Sequence, residues 1–149
     1  MKNCSLLLLV FFVCATASVA QTDSTSKRFI NLPRPVANLP FTDGVVAGNT
    51  IYLSGRLGLD PKTGKVPATI EEELRNLLDG FSSVLKEAHM TMDDLVDVQV
   101  FCTDLSLYGQ FNAVYRTYFS AKFPARAFLG TNALLFGAHF EIRGVAAKP

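Results

Sequence analysis

Apolar and polar positions along the chain fall into six phases with different periods. Residues 45–47 and 50–54 are short β-branched and aromatic runs around Gly48-Asn49, a pair suited to a tight turn, and predict a hairpin. Gly55 is read as ending its second strand, where a small residue lets a backbone or ligand approach. Ile70, Leu74, Leu77, Leu78, Phe81, Val84 and Leu85 then recur at helical spacing, predicting an amphipathic helix over residues 70–89. Thr69 with Glu72 three positions later has the form of a capping box, and Glu71, Glu72 and Glu73 read as a solvated first turn that complements the helix dipole. Val96, Val98 and Val100 alternate with Asp97, Gln99 and Phe101 in a strand over residues 95–102. A second helix over residues 107–121 carries the stripe Phe111, Val114, Tyr115, Tyr118 and Phe119.

Period-two alternation returns in the last stretch, 123–147. One run carries Arg126, Phe128 and Gly130 on one side, and a second carries His139, Glu141 and Arg143 on one side. The order hairpin, helix, strand, helix, two strands predicts an α+β domain with two helices on one face of a mixed or antiparallel sheet. The other face also needs covering, and association of copies through it would place Arg126, Glu141 and Arg143 at a subunit boundary. Arg126 and Glu141 could project into one pocket, where the guanidinium would grip a planar carboxylate with two parallel hydrogen bonds. They could equally form an ordinary surface ion pair, which pattern alone favours.

The first twenty residues read differently. Lys2, the apolar run 6–13 and the small-x-small step Ser18-Val19-Ala20 have the form of a signal peptide cleaved after Ala20, making the product exported, periplasmic or secreted. The expected domain map is then a signal at 1–20, a flexible polar tail at 21–34 and one domain at 35–149. Removing the signal takes Cys4 and Cys14 and leaves Cys102, so no internal disulfide forms in the mature chain. It also takes Lys2, so 13 cations face 13 acids and the formal charge is zero. A neutral domain has no electrostatic footprint for nucleic acid or for an anionic membrane.

Chemical motifs are sparse. No glycine-rich phosphate loop sits between a strand and a helix, and His89 and His139 lie on separate elements without metal-ligand spacing. Cys102 ends an apolar strand and reads as an inert buried thiol; Ser54 sits in no nucleophile elbow. Catalysis here would use polarisation, positioning and water, with no metal or cofactor.

Several strings resemble the RidA/YjgF family of reactive-intermediate deaminases: Ile51-Tyr52-Leu53-Ser54-Gly55, Asp60-Pro61-Lys62-Thr63-Gly64, Phe111-Asn112-Ala113-Val114-Tyr115, Phe123-Pro124-Ala125-Arg126 and Phe140-Glu141-Ile142. The resemblance covers residues 35–147 in order. It implies a chorismate-mutase-like mixed sheet, a homotrimer with ligand pockets between subunits, and hydrolysis of 2-imino acids such as 2-iminopropanoate and 2-iminobutanoate to 2-keto acids and ammonia. It implies Arg126 as the carboxylate anchor, Glu141 as the acid that handles water, and Ser54, Gly55 and Asn112 as pocket residues. Phe41 stands where many members have a tyrosine and Phe128 where many have a cysteine, so substrate range is open. Leu134-Leu135 replaces a Leu-Pro pair, and Arg143 adds a second cation whose simple reading is an exposed or interface ion pair. The alternative function is a non-catalytic, small-carboxylate-binding or chaperone-like trimer of the same fold. A nuclease reading is disfavoured by the neutral charge and the lack of a histidine pair.

Overall fold

The computed structural model describes residues 26–33 and 39–148, so the signal-peptide reading lies outside the described residues. Within them the six phases become one six-stranded mixed sheet and two α-helices. The strands are β1 (Arg28–Ile30), β2 (Gly44–Ala47), β3 (Thr50–Leu57), β4 (Leu95–Cys102), β5 (Ala125–Gly130) and β6 (Phe140–Ala147). Their spatial order is β1-β2-β3-β6-β4-β5, with every pair antiparallel except β4 and β5.

Helix α1 (Ile70–Glu87) begins as its cap predicts: Thr69 Oγ1 accepts from the Glu72 amide at 3.2 Å. It ends two residues earlier than expected, where His89 takes a left-handed φ of 57°. The second helix is shorter than its stripe implies. α2 covers only Tyr108–Tyr115, flanked by single 3-10 turns at Leu105–Leu107 and Arg116–Tyr118. Asp104 opens the first of these by accepting from the Ser106 amide, so the capping residue at the predicted start is spent on a tighter turn.

Both helices lie on one side of the sheet, and the core fills that space. Ile51, Leu53, Val98, Val100, Ile142 and Phe140 from the strands meet Leu74, Leu77, Phe81 and Leu85 of α1, and Phe111 of α2 joins them. Cys102 belongs to this core. Its thiol lies 3.0 Å from the Asp104 carbonyl, and burial pushes its pKa up, as an inert thiol requires.

Three expectations change. The stretch read as a flexible tail contains β1, which pairs residue by residue with β2 and buries Ile30; three residues are too short a run to show periodicity. Gly55 does not end β3, which runs on to Leu57 through an irregular step. Glu73 is not solvated but fully buried. It accepts from the His139 amide at 2.7 Å and the Phe140 amide at 3.1 Å through Oε1, and Oε2 lies 2.7 Å from His139 Nδ1. Its backbone carbonyl leaves no space for a side chain at Gly58, where a Cβ would stand 2.0 Å from it. Glu73 thus ties α1 to the first residues of β6, a buried carboxylate satisfied by hydrogen bonds.

Candidate functional site

The residues singled out in the sequence gather into two groups on opposite sides of the sheet. In β4, Val98 and Val100 point into the core, and their register partners on β5 are Arg126 and Phe128. Arg126 therefore stands on the helix side at the sheet edge, against α2. Its Nη2 donates to Asn112 Oδ1 at 2.8 Å. Four rings surround the guanidinium, with centroids 4.8 Å (Tyr115), 5.5 Å (Phe111), 5.8 Å (Tyr108) and 5.8 Å (Phe128) from its central carbon. Aromatic faces hold a cation without neutralising it, so the charge stays available to an anion.

Phe128 is part of that box, with its ring at right angles to Tyr108 (88°) and 5.2 Å from Phe111. A concavity of about 320 Å³ opens beside Arg126, lined also by Asn112, Tyr115, Arg116, Phe123 and Pro124. Two phenols flank Arg126: Tyr115, which belongs to the helical stripe, and Tyr108, which no sequence pattern singles out. Tyr115 is 3% exposed and its hydroxyl has no hydrogen-bond partner among the described residues; burial pushes its pKa up to about 12, against the opposing pull of the Arg126 charge. A buried donor without a partner is costly unless something completes it. Tyr108 is its opposite: the Asn112 amide, then the Arg126 charge, hold its phenol below the usual range.

Glu141 points the other way. In β6, Phe140, Ile142, Gly144 and Ala146 are buried under the helices, so Glu141 and Arg143 stand on the open face. Leu53 pairs with Gly144 and Arg56 with Ile142, so Ser54 and Gly55 together oppose the single residue Arg143. Two residues against one is a β-bulge, a device that re-aims side chains beside sites. The bulge is held from behind: the Ser54 amide donates to the Asp43 carbonyl at 3.0 Å and its hydroxyl to the Thr42 carbonyl at 2.5 Å. Phe41, half exposed at 49%, adjoins that anchor.

Glu141 rests on the bulge. A Cβ at Gly55 would lie 1.9 Å from Glu141 Oε1, so glycine there is a requirement of close approach and not a strand terminator. Among the described residues no hydrogen bond or ion pair occupies the Glu141 carboxylate. A cavity of about 580 Å³ lies over it, lined by Tyr52, Ser54, Gly55, Phe101, Leu134 and Arg143 among others.

The structure thus unites Arg126, Asn112 and Phe128, and separately Ser54, Gly55 and Glu141. It does not bring Arg126 and Glu141 into one pocket of one chain. β4 lies between their strands, and the two side chains leave the sheet on opposite sides. Among the described residues no cluster of His, Cys, Asp or Glu could hold a metal ion, and no helix is long and apolar enough to cross a membrane.

A mixed sheet backed by two helices, carrying an edge arginine and an open-face carboxylate, defines a class of small α+β domains. The sequence profile of the Endoribonuclease L-PSP family matches residues 31–148. The chain is 36% identical over 115 residues to the mouse 2-iminobutanoate/2-iminopropanoate deaminase, covering 76% of this chain and 85% of that protein. The crystal structure of the Escherichia coli YjgF gene product superposes with a TM-score of 0.76 at 32% identity, over 82% of this chain and 99% of that one. E. coli TdcF with bound serine superposes at 0.75 and 27% identity, over 82% of this chain and all (100%) of that one. This chain belongs to the Endoribonuclease L-PSP family, the RidA/YjgF family.

Proposed function

We propose that this protein hydrolyses 2-imino acids to 2-keto acids and ammonia in clefts built from two copies of the chain. The observation that carries the reading is the Glu141 carboxylate, seated over the Gly55 backbone in an open cavity with no partner among the described residues. A carboxylate held bare at a cavity wall is placed to take a proton from water. The mouse relative's name gives the substrate class, and the serine in TdcF is a small amino acid of the size the cleft would take.

The cleft needs Arg126 from one copy and Glu141, Ser54 and Gly55 from its neighbour, because one chain turns these groups to opposite sides of its sheet. The apolar surface supports association. Leu135 (71%), Phe136 (72%) and Tyr52 (54%) are exposed around the open face and the β5–β6 connection, apolar surface that a second copy would cover. A closed homotrimer, with each edge meeting the next open face, satisfies both demands.

In that cleft Arg126 grips the substrate carboxylate, with Asn112 fixing the guanidinium and the Tyr115 hydroxyl available as a further donor. Glu141 orients a water toward the C=N carbon and takes its proton as the C–O bond forms and the C=N electrons move to nitrogen. The proton passes to that nitrogen to give the tetrahedral carbinolamine; its O–H proton then moves through Glu141 to the nitrogen as the C–N bond breaks, leaving the carbonyl and ammonia. No redox partner or metal enters this balance. An imino acid hydrolyses in water already, so positioning one water and one carboxylate is enough. Phe128 and Phe41 line the cleft as apolar walls where a thiol and a phenol stand in many relatives. The reaction takes place outside the cytoplasm, after the leader at 1–20 is removed.

The test is keto-acid release from an imino acid generated in situ by an amino-acid oxidase. The reading requires an acceleration over the spontaneous rate that Arg126→Ala largely removes at substrate concentrations below KM. No acceleration across a range of side chains would leave the carboxylate-binding trimer as the better account.

A further inference from the structure

Arg143 is the one charged residue of the open-face cavity that the reaction above does not use. It stands on β6, a central strand, directly opposite the Ser54–Gly55 bulge and next to Gln99 of β4. It is exposed, and no carboxylate among the described residues lies within ion-pair distance of it. The acids on its own face are Glu141, two residues before it, and Asp97, diagonally across β4. A guanidinium at mid-sheet beside a bulge is not a solubility charge on an edge strand. The composite cleft would then have cations at both ends, Arg126 with Arg116 lining its concavity and Arg143 beside Glu141 on the open face. A substrate with one carboxylate, held by Arg126, leaves Arg143 over.

We propose that Arg143 makes this a cleft for acidic imino acids, gripping a second carboxylate on the substrate side chain while Arg126 holds the first. The preferred substrates are short dicarboxylic imines, such as iminosuccinate and 2-iminoglutarate, over short aliphatic imines such as 2-iminobutanoate. The inference rests on the composite cleft of the preceding section for the Arg126 end. The Arg143 end stands on the bulge and the cavity alone. Arginine suits this task better than lysine, because its planar fork meets a carboxylate with two parallel hydrogen bonds.

The experiment compares binding of 2-oxoglutarate and 2-oxobutanoate to the purified protein by calorimetry, alongside hydrolysis of the corresponding imines. The wild-type protein is expected to bind the dicarboxylate about tenfold or more tightly, the worth of one charge-assisted contact. Arg143→Gln is expected to reduce that preference to about twofold, and Arg143→Lys to an intermediate value. Equal or weaker dicarboxylate binding by the wild type overturns the proposal, as does a preference that survives Arg143→Gln. Should the glutamine variant fail to fold, the wild-type ratio and the lysine variant still decide. Dicarboxylate preference without imine hydrolysis would sink the proposed activity and leave the Arg143 assignment standing.

Discussion

The two halves of the site differ in how their charges are kept. Arg126 is enclosed: four rings surround it and Asn112 accepts one of its donors. Glu141 and Arg143 are open, separated by one residue on a central strand, and bare of partners among the described residues. The enclosed half is built for holding, since its geometry is fixed before anything binds. The open half, on the proposed reading, serves reaction and choice, since a carboxylate already engaged could not direct water. On the proposed reading, a chain that turns Arg126 and Glu141 to opposite sides of one sheet carries half of each cleft, and a second copy supplies the facing wall.

Breaking each half is expected to leave different kinetic marks. Glu141→Gln removes the water-handling group and is expected to lower kcat by about 100-fold with little change in KM. Arg126→Ala removes an anchor used in ground and transition states alike, and about a 30-fold loss in kcat/KM is expected, carried chiefly by KM. Steady-state kinetics on one imino acid would separate them, and the same pattern in both would erase the distinction between the halves.

Stability is distributed unevenly as well. Glu73→Ala would strip the buried His139 and Phe140 amides of their acceptor, with an expected cost of about 3 kcal/mol read from urea midpoints. Because those residues begin β6, the open half should loosen first, visible as faster amide exchange at 139–143 than at 125–130. Gly55→Ala is expected to act in reverse. The added methyl displaces only the flexible end of Glu141, so activity falls about tenfold while the urea midpoint barely moves. The smallest effect is in alkali. Burial raises the Tyr115 phenol to about 12 in the folded state from an ordinary 10.0. A raised folded pKa means its contribution is whole below pH 10 and lost as pH climbs toward 12. Tyr115→Phe should flatten that loss in a pH series of thermal melts.

Periodicity made much of this legible. The valine alternation of β4 and the leucine stripe of α1 gave elements whose bounds held to within two residues. Glu73 was misread because it shares a run with two exposed glutamates, yet it falls on the stripe of Ile70, Leu74 and Leu77, and that phase was the available signal. The bulge at Ser54–Gly55 was hidden because a glycine after a strand reads as a stop, and only register against β6 reveals two residues facing one. The separation of Arg126 from Glu141 lay beyond any local pattern. Alternation fixes sides within a strand but carries no phase between strands, and nothing local says that β4 inserts between β5 and β6.

The central claim, a site shared between copies, is tested by complementation. Arg126→Ala and Glu141→Gln chains, each about 30-fold or more impaired alone at substrate below KM, would be unfolded together, refolded as mixed assemblies and assayed for keto-acid release under those conditions. A cleft built from two copies predicts recovered activity, since about a quarter of clefts in a random mixture would join an intact Arg126 to an intact Glu141. Mixed assemblies, verified by mass, that stay as impaired as the separate variants would place both residues' work within one chain and contradict the account.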